Sequence, residues 1–190
     1  MVAELVRHKF KRQDYYHLQE VGVLQPGDRV ELIQGEIIQM SPISSLHAAH
    51  VKRLNYLFAQ KFGNQVLIGV QDPVILDDYS EPQPDIALLR PREDFYAAGH
   101  PQVEDIFLLV EVSNTTLEID RQIKIPLYAT SGIQEVWLVN TRDQCLEIYR
   151  CPLGNTYQEL QVLTSEARVK LLAQPLVEFG VEEILGDFFG

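Results

Sequence analysis

The chain is predicted to be α+β with an α/β-like core: a mixed central β-sheet flanked by helices. Three observations predict this. Apolar runs of strand length recur along the chain, notably residues 85–89 and 106–112, and read as buried strands. Segments with helical apolar spacing lie between such runs. The stretch from 106 to 139 has the order strand–helix–strand, which should close as a right-handed crossover.

The elements follow in order. Residues 11–21 read as a short amphipathic helix with Tyr15, Leu18 and Val21 or Gly22 on one side. Residues 25–28 carry turn chemistry. Strands over 29–33 and 36–40 are joined at Gln34–Gly35, where Gly supplies a tight hairpin turn. Ser44 or Ser45 caps a helix running to Phe62 and closed by Gly63–Asn64; Val51, Leu54, Leu57, Phe58 and Phe62 mark its core face. Strands are expected over 66–70 and 74–76, a polar loop over 77–84 and a surface loop over 91–104. Residues 106–112 form the most apolar run and hence the central strand. Thr115 or Thr116 caps the next helix, which runs to Thr130 and stops at Gly132; Pro126 inside it predicts a kink or a late start. Strands over 134–139, 146–149, 157–163 and 168–172 complete the sheet. The tail from Leu176 is apolar enough to dock on the body. One domain over 1–190 is expected, with a flexible basic segment over 1–13.

Composition narrows the class. The chain is 46% hydrophobic and 23% charged, ordinary for a soluble protein. No apolar run reaches the roughly 18 residues of a membrane span, and no signal-peptide core opens the chain. Cys145 and Cys151 are too few for a disulfide framework and read as reduced thiols in a cytoplasm. Sixteen Lys and Arg against 27 Asp and Glu give a net charge of −11. That balance opposes non-specific DNA binding, whose affinity comes from neutralising phosphates. Basic clusters at residues 7–12, at Lys52–Arg53 and at Arg90 with Arg92 read as solvated patches.

The residues that carry chemistry are Asp85, Glu111 and Lys124. Each acid sits at the edge of an apolar run, where a carboxylate is costly to bury without compensation. If the two strands are antiparallel neighbours, the start of one and the end of the other meet at one sheet edge, and the two carboxylates share one hard cation. Mg²⁺ takes one or two carboxylates, keeps several waters and prefers six oxygens. The Val112 carbonyl is a further candidate ligand. Such an ion polarises a phosphate and activates water. Lys124 lies on the following helix in a stripe with Asp120 and Tyr128, beside an apolar stripe of Ile119, Ile123 and Leu127 that packs on the sheet. Its ammonium would orient the attacking water or lower its pKa. His47 and His50 have the spacing of a zinc pair but lack a third ligand; a structural or substrate-side role is assigned to His50. Trp137 reads as core, and Tyr15 and Tyr16 as packing.

An ordered set of motifs adds a resemblance. It comprises residues 31–36 (Glu-Leu-Ile-Gln-Gly-Glu), Ser41–Pro42 followed by His50, Pro84–Asp85, residues 110–113 (Val-Glu-Val-Ser), Lys124 with Tyr128, and residues 135–139 (Glu-Val-Trp-Leu-Val). Over residues 14–149 the chain resembles the bacterial family of restriction-endonuclease-like proteins once classed as a domain of unknown function. The resemblance implies the PD-(D/E)xK nuclease fold with Mg²⁺ as cofactor and Mn²⁺ as a substitute. It matches Asp85 and Glu111 to the two acids of the motif. Where the general motif has Lys, two residues after Glu111, this chain has Ser113; Lys124 matches the lysine displaced onto the next helix. The resemblance also implies that Glu36 faces the metal site and that the substrate is DNA rather than RNA. Compact nucleases often pair to address two strands, which makes a homodimer a reasonable expectation. The acidic balance and Ser113 keep open a non-catalytic binding module on the same fold. A hydrolase of small phosphoesters is a third reading, favoured by a cleft too narrow for a duplex.

Overall fold

The computed structural model describes residues 7–25 and 27–187. Residues 1–6 of the expected N-terminal segment, Pro26 of the expected turn and residues 188–190 of the tail lie outside that range. Six strands form the central sheet in the order β3-β4-β5-β6-β7-β8: Leu67–Val70, Ile86–Leu89, Ile106–Ser113, Glu135–Asn140, Cys145–Leu153 and Thr156–Leu163. The sheet is mixed. β5 and β6 pair in parallel through the expected crossover, and every other neighbouring pair is antiparallel.

Alternation along β5 sorts its side chains onto the two faces. Leu108, Val110 and Val112 join a cluster with Leu54, Phe58 and Phe62 of α2 (Ser45–Phe62). Leu109 turns to the opposite face, with Leu117, Ile125 and Tyr128. Glu111 has the same parity as Leu109, so period-two geometry aims it at the second face. α2 begins as expected at Ser44, whose hydroxyl accepts from the His47 N–H at 3.2 Å, and ends at Gly63 with a positive φ of 54°.

The first hairpin is β1 (Val30–Ile33) and β2 (Glu36–Gln39). Gln34 and Gly35 both have positive φ, 50° and 76°, which matches the right-handed twist of a two-residue hairpin turn. A Cβ at Gly35 would lie 2.8 Å from the Lys9 side chain, so the preceding segment depends on that glycine. Residues 7–13 are tied to this region through Phe10 N–H on the Gly35 carbonyl and Arg12 N–H on the Asp78 carbonyl. α1 (Arg12–Glu20) buries Tyr15, whose hydroxyl donates to the Val30 carbonyl. Val21 does not join that face and is largely exposed.

Three expectations are corrected. Residues 74–76 are not a strand; Val74 and Leu76 donate to Pro82 and Ser80 within one closed loop, and only Ile75 bridges outward, to Gln102. β9 (Arg168–Leu171) does not finish the sheet. It pairs with β10 (Gln174–Gly180) as a separate hairpin, because the tail supplies a closer partner than the sheet edge. The stripe Ile119–Ile123–Leu127 does not pack as a unit, since Ile119 and Ile123 are exposed. Leu117 of α3 (Leu117–Ile119) and Ile125 of α4 (Ile125–Thr130) are buried instead. Between them Asp120–Lys124 forms a π turn just ahead of Pro126, and its wider turn changes which side chains face the sheet.

The tail docks as expected. Phe179 of β10 meets Phe58, Phe62 and Trp137 at ring-centroid distances of 5.5–5.9 Å, and α5 (Val181–Leu185) buries Val181, Ile184 and Leu185. Phe179→Ala should therefore cost about 3–5 kcal/mol in urea unfolding; a loss under about 1 kcal/mol would show that the hairpin is not part of the core.

Glu147 of β7 is buried and accepts from Arg121, Tyr149 and Asn140. Burial raises its pKa, but those partners hold the net value below the ordinary 4.5. A depressed carboxylate stabilises above its unfolded pKa, and that stability is lost as pH falls through the folded pKa. The destabilisation by Glu147→Gln, measured by denaturant titration, should be large at neutral pH and shrink below about pH 4.

Candidate active site

Asp85 immediately precedes β4, and Glu111 lies near the end of β5. The antiparallel register pairs Ile86 with Val110, so the two acids meet at one end of the sheet. Asp85 is held from three sides. Its Oδ2 accepts from the Val112 N–H at 2.8 Å. Its Oδ1 accepts from the Gln71 amide at 3.1 Å and lies 2.9 Å from His47 Nε2. Burial raises the Asp85 pKa, yet the hydrogen bond and charge of His47, with Val112 and Gln71, bring it below the ordinary carboxylate value. The contact with Asp85 reciprocally raises the His47 pKa, aided by a hydrogen bond to the Val112 backbone.

Glu111 is gripped from the other face. The Tyr128 hydroxyl donates to Oε1 at 2.6 Å, and Lys124 Nζ lies 3.2 Å from the same oxygen. Lys124 also stands 3.5 Å from Glu31 Oε2, which accepts from the Gln83 N–H at 3.0 Å. Asp120 takes hydroxyl donors from Ser113 at 2.5 Å and Thr116 at 2.8 Å. Glu31, Asp85, Glu111, Asp120 and Lys124 are all buried. Burial drives the Glu111 pKa well up, against the pull of Lys124, and Asp120 and Asp85 push it further. Burial lowers the Lys124 pKa, but Glu111, Glu31 and Asp120 outweigh it and raise it above the ordinary lysine value. Lys124 is therefore a fixed cation at neutral pH.

These groups line a cavity of about 340 Å³. The structure brings Asp85, Glu111 and Lys124 together, with Val112 between the acids. It does not bring Glu36. That side chain is 39% exposed and pairs with Lys9 at 3.0 Å and Arg7 at 3.4 Å. The physical reason is its place on the ladder: Glu36 sits beside the turn opposite Ile33, whereas Glu31 lies mid-hairpin opposite Ile38. Glu31 is the acid that enters the cavity. Ser113, in the position of the general motif's lysine, is fully buried and serves Asp120.

Sequence reasoning missed three residues. Glu31 stood within the quoted hairpin motif, and its position mid-strand between apolar neighbours was the available signal. The sequence pairs His47 with His50 by spacing, but the first turn of α2 aims His47 at Asp85, while His50 Nδ1 bonds the Leu46 carbonyl within the helix. Asp120 shares the stripe of Lys124 and Tyr128, and helical spacing alone carries no sign of its contacts with Ser113 and Thr116. Among the described residues no cluster of three or more His, Cys, Asp and Glu forms a metal cage. The groups able to hold a cation are the Asp85 and Glu111 carboxylates with the Val112 carbonyl, a set with only two acidic side chains.

A family model described as Uma2, putative restriction endonuclease, matches residues 12–182. The crystal structure of a putative nuclease belonging to DUF820 from Anabaena variabilis ATCC 29413 superposes with a TM-score of 0.71 at 17% identity, covering 93% of this chain and 97% of that one. At that identity the likeness establishes the restriction-endonuclease-like fold. No curated protein matches the chain.

Tyr128→Phe should leave the buried Glu111 carboxylate one donor short and cost about 1–3 kcal/mol. Glu36→Ala should change stability by less than about 0.5 kcal/mol. Equal effects of the two in chemical denaturation would contradict this placement.

Proposed function

This chain belongs to the Uma2 family, described as putative restriction endonuclease, and we propose that it is a Mg²⁺-dependent endonuclease hydrolysing DNA phosphodiester bonds. The observation that carries the reading is the convergence of Asp85 and Glu111 at one end of the sheet, with the Lys124 ammonium 3.2 Å from Glu111.

A divalent ion suits these residues. Four buried carboxylates, Glu31, Asp85, Glu111 and Asp120, surround one buried ammonium. Such an excess either takes up protons or draws a cation; burial first raises the Glu111 pKa, and the neighbouring Asp120 and Asp85 add to it. Asp85, Glu111 and the Val112 carbonyl would hold the ion, hard oxygen donors of the type Mg²⁺ takes and Mn²⁺ accepts. When bound it would supply Lewis-acid polarisation of the phosphate and charge for the transition state.

The remaining work falls to the chain. Lys124 stays protonated, so it is not a general base. It donates to a phosphate oxygen or orients the attacking water, and it neutralises developing negative charge. Glu31 and Glu111 fix its direction from two sides. Tyr128 holds Glu111 in its rotamer, and Gln71 with the Val112 N–H does the same for Asp85. His47 Nε2, 2.9 Å from Asp85 Oδ1, steadies that carboxylate from the first turn of α2.

Wild type should cleave DNA in Mg²⁺ or Mn²⁺, read on a single-stranded oligonucleotide as well as on plasmid, and Asp85→Ala and Lys124→Ala should each lose roughly a hundredfold or more in rate. Mn²⁺ should raise the melting temperature of wild type but not of Asp85→Ala, because a ligand held by the native state alone stabilises it. Equal cleavage by all three proteins would sink the proposal.

A further inference from the structure

Resting on that reading, we propose that the cavity receives an unpaired nucleotide of a single DNA strand, with its base on an apolar wall, rather than an intact duplex. The acids lie at the bottom of the cavity: Asp85 is 8% and Glu111 3% exposed. A scissile phosphate must enter to reach them. The space, about 340 Å³, is at the small end of ligand pockets. A recess of that volume admits a nucleotide-sized group beside the acids.

Its lining is divided. Beside the acids stand Ile38, Met40, Pro42, Ile43 and Ile119. Two of these remain in water at the mouth, with Ile43 41% and Ile119 51% exposed. Apolar side chains next to a phosphodiester site suit a base drawn out of its stack, which is held by contact with its flat faces. Neutral polar side chains, Asn114 and Thr115, also line the cavity and suit the sugar and phosphate without adding charge.

The distribution of cations points the same way. Duplex affinity comes from several Lys and Arg neutralising successive phosphates. Here eleven of the sixteen Lys and Arg form ion pairs with described carboxylates of the same chain. Arg90 and Arg92 follow the far end of β4, opposite the end that carries Asp85. Among the cavity residues only Arg29 and Lys124 are Lys or Arg, and Lys124 is engaged by Glu31 and Glu111. With only these two cations in the recess, contact between an unpaired base and its apolar side chains has to supply much of the affinity.

The test is fluorescence anisotropy in Ca²⁺ with a labelled single-stranded oligonucleotide, the same sequence as a duplex closed by hairpins at both ends, and the single strand with an abasic nucleotide at each position in turn. The single strand should bind about tenfold or more tightly than the closed duplex, and an abasic nucleotide at the seated position should weaken it severalfold. Ile43→Asp and Ile119→Asp should each weaken single-strand binding. Duplex binding as tight as that of the single strand, or no single-strand binding, would overturn the inference. Cleavage assays in Mn²⁺ separate it from the reading beneath it. Equal cleavage of single strand and closed duplex defeats the inference and leaves the nuclease reading standing. Selective single-strand binding without any cleavage does the reverse.

Discussion

The structure at the sheet end depends on one buried ammonium. Lys124 is the cation around which Glu31 from β1, Glu111 from β5 and Asp120 from the π turn are gathered. Taking such charges out of water costs several kcal/mol per ion before any pairing is counted, so none of these acids would be stable there without a partner. The hairpin, the central strand and the crossover helix must therefore all be in place for the arrangement to exist. Burial keeps the Glu111 pKa well up against the pull of Lys124, and Asp120 and Asp85 add to it. Four buried carboxylates around one buried ammonium are the physical link between the fold and the proposed chemistry.

The backbone around this point has two local features that serve it. The π turn at Asp120–Lys124 directs both an acid and the ammonium inward from one short segment, while Pro126 just beyond it is accommodated at the start of α4. On the other side, Ser44 caps α2 so that its first turn presents His47 to Asp85. The hydrophobic clusters on the two faces of the sheet hold these helices in register. The C-terminal hairpin contributes Phe179 and Leu171 to the cluster under α2, so the tail takes part in the same support.

The acidic composition has a structural counterpart. Most cations are spent on internal ion pairs, several of them exposed and worth little individually. Arg150 is an exception: it reaches the fully buried Glu135, which also takes the Trp137 indole N–H and the Leu172 N–H, and so joins the C-terminal hairpin to the sheet. Phosphate-binding charge on the outer surface is correspondingly sparse. The chemistry is concentrated in a recess, not spread over a basic face.

By itself the sequence determined the fold class, the central strands, the capped α2 and the association of Asp85, Glu111 and Lys124. Those features are local or short-range: apolar periodicity, a cap, a turn glycine, and acids at strand ends whose pairing follows from antiparallel neighbours. Only the tertiary structure decided which hairpin acid enters the site. Glu31 and Glu36 belong to one short motif, and the choice between them rests on how far along the ladder the hairpin crosses the sheet end. Tertiary contacts also decided that His47, not His50, meets Asp85, that the tail pairs with β9, and that the helix faces are shifted at the π turn. For Glu31 and His47 the deciding contact is made by residues distant in the chain, and a periodic pattern read along one segment carries no record of what is packed against it.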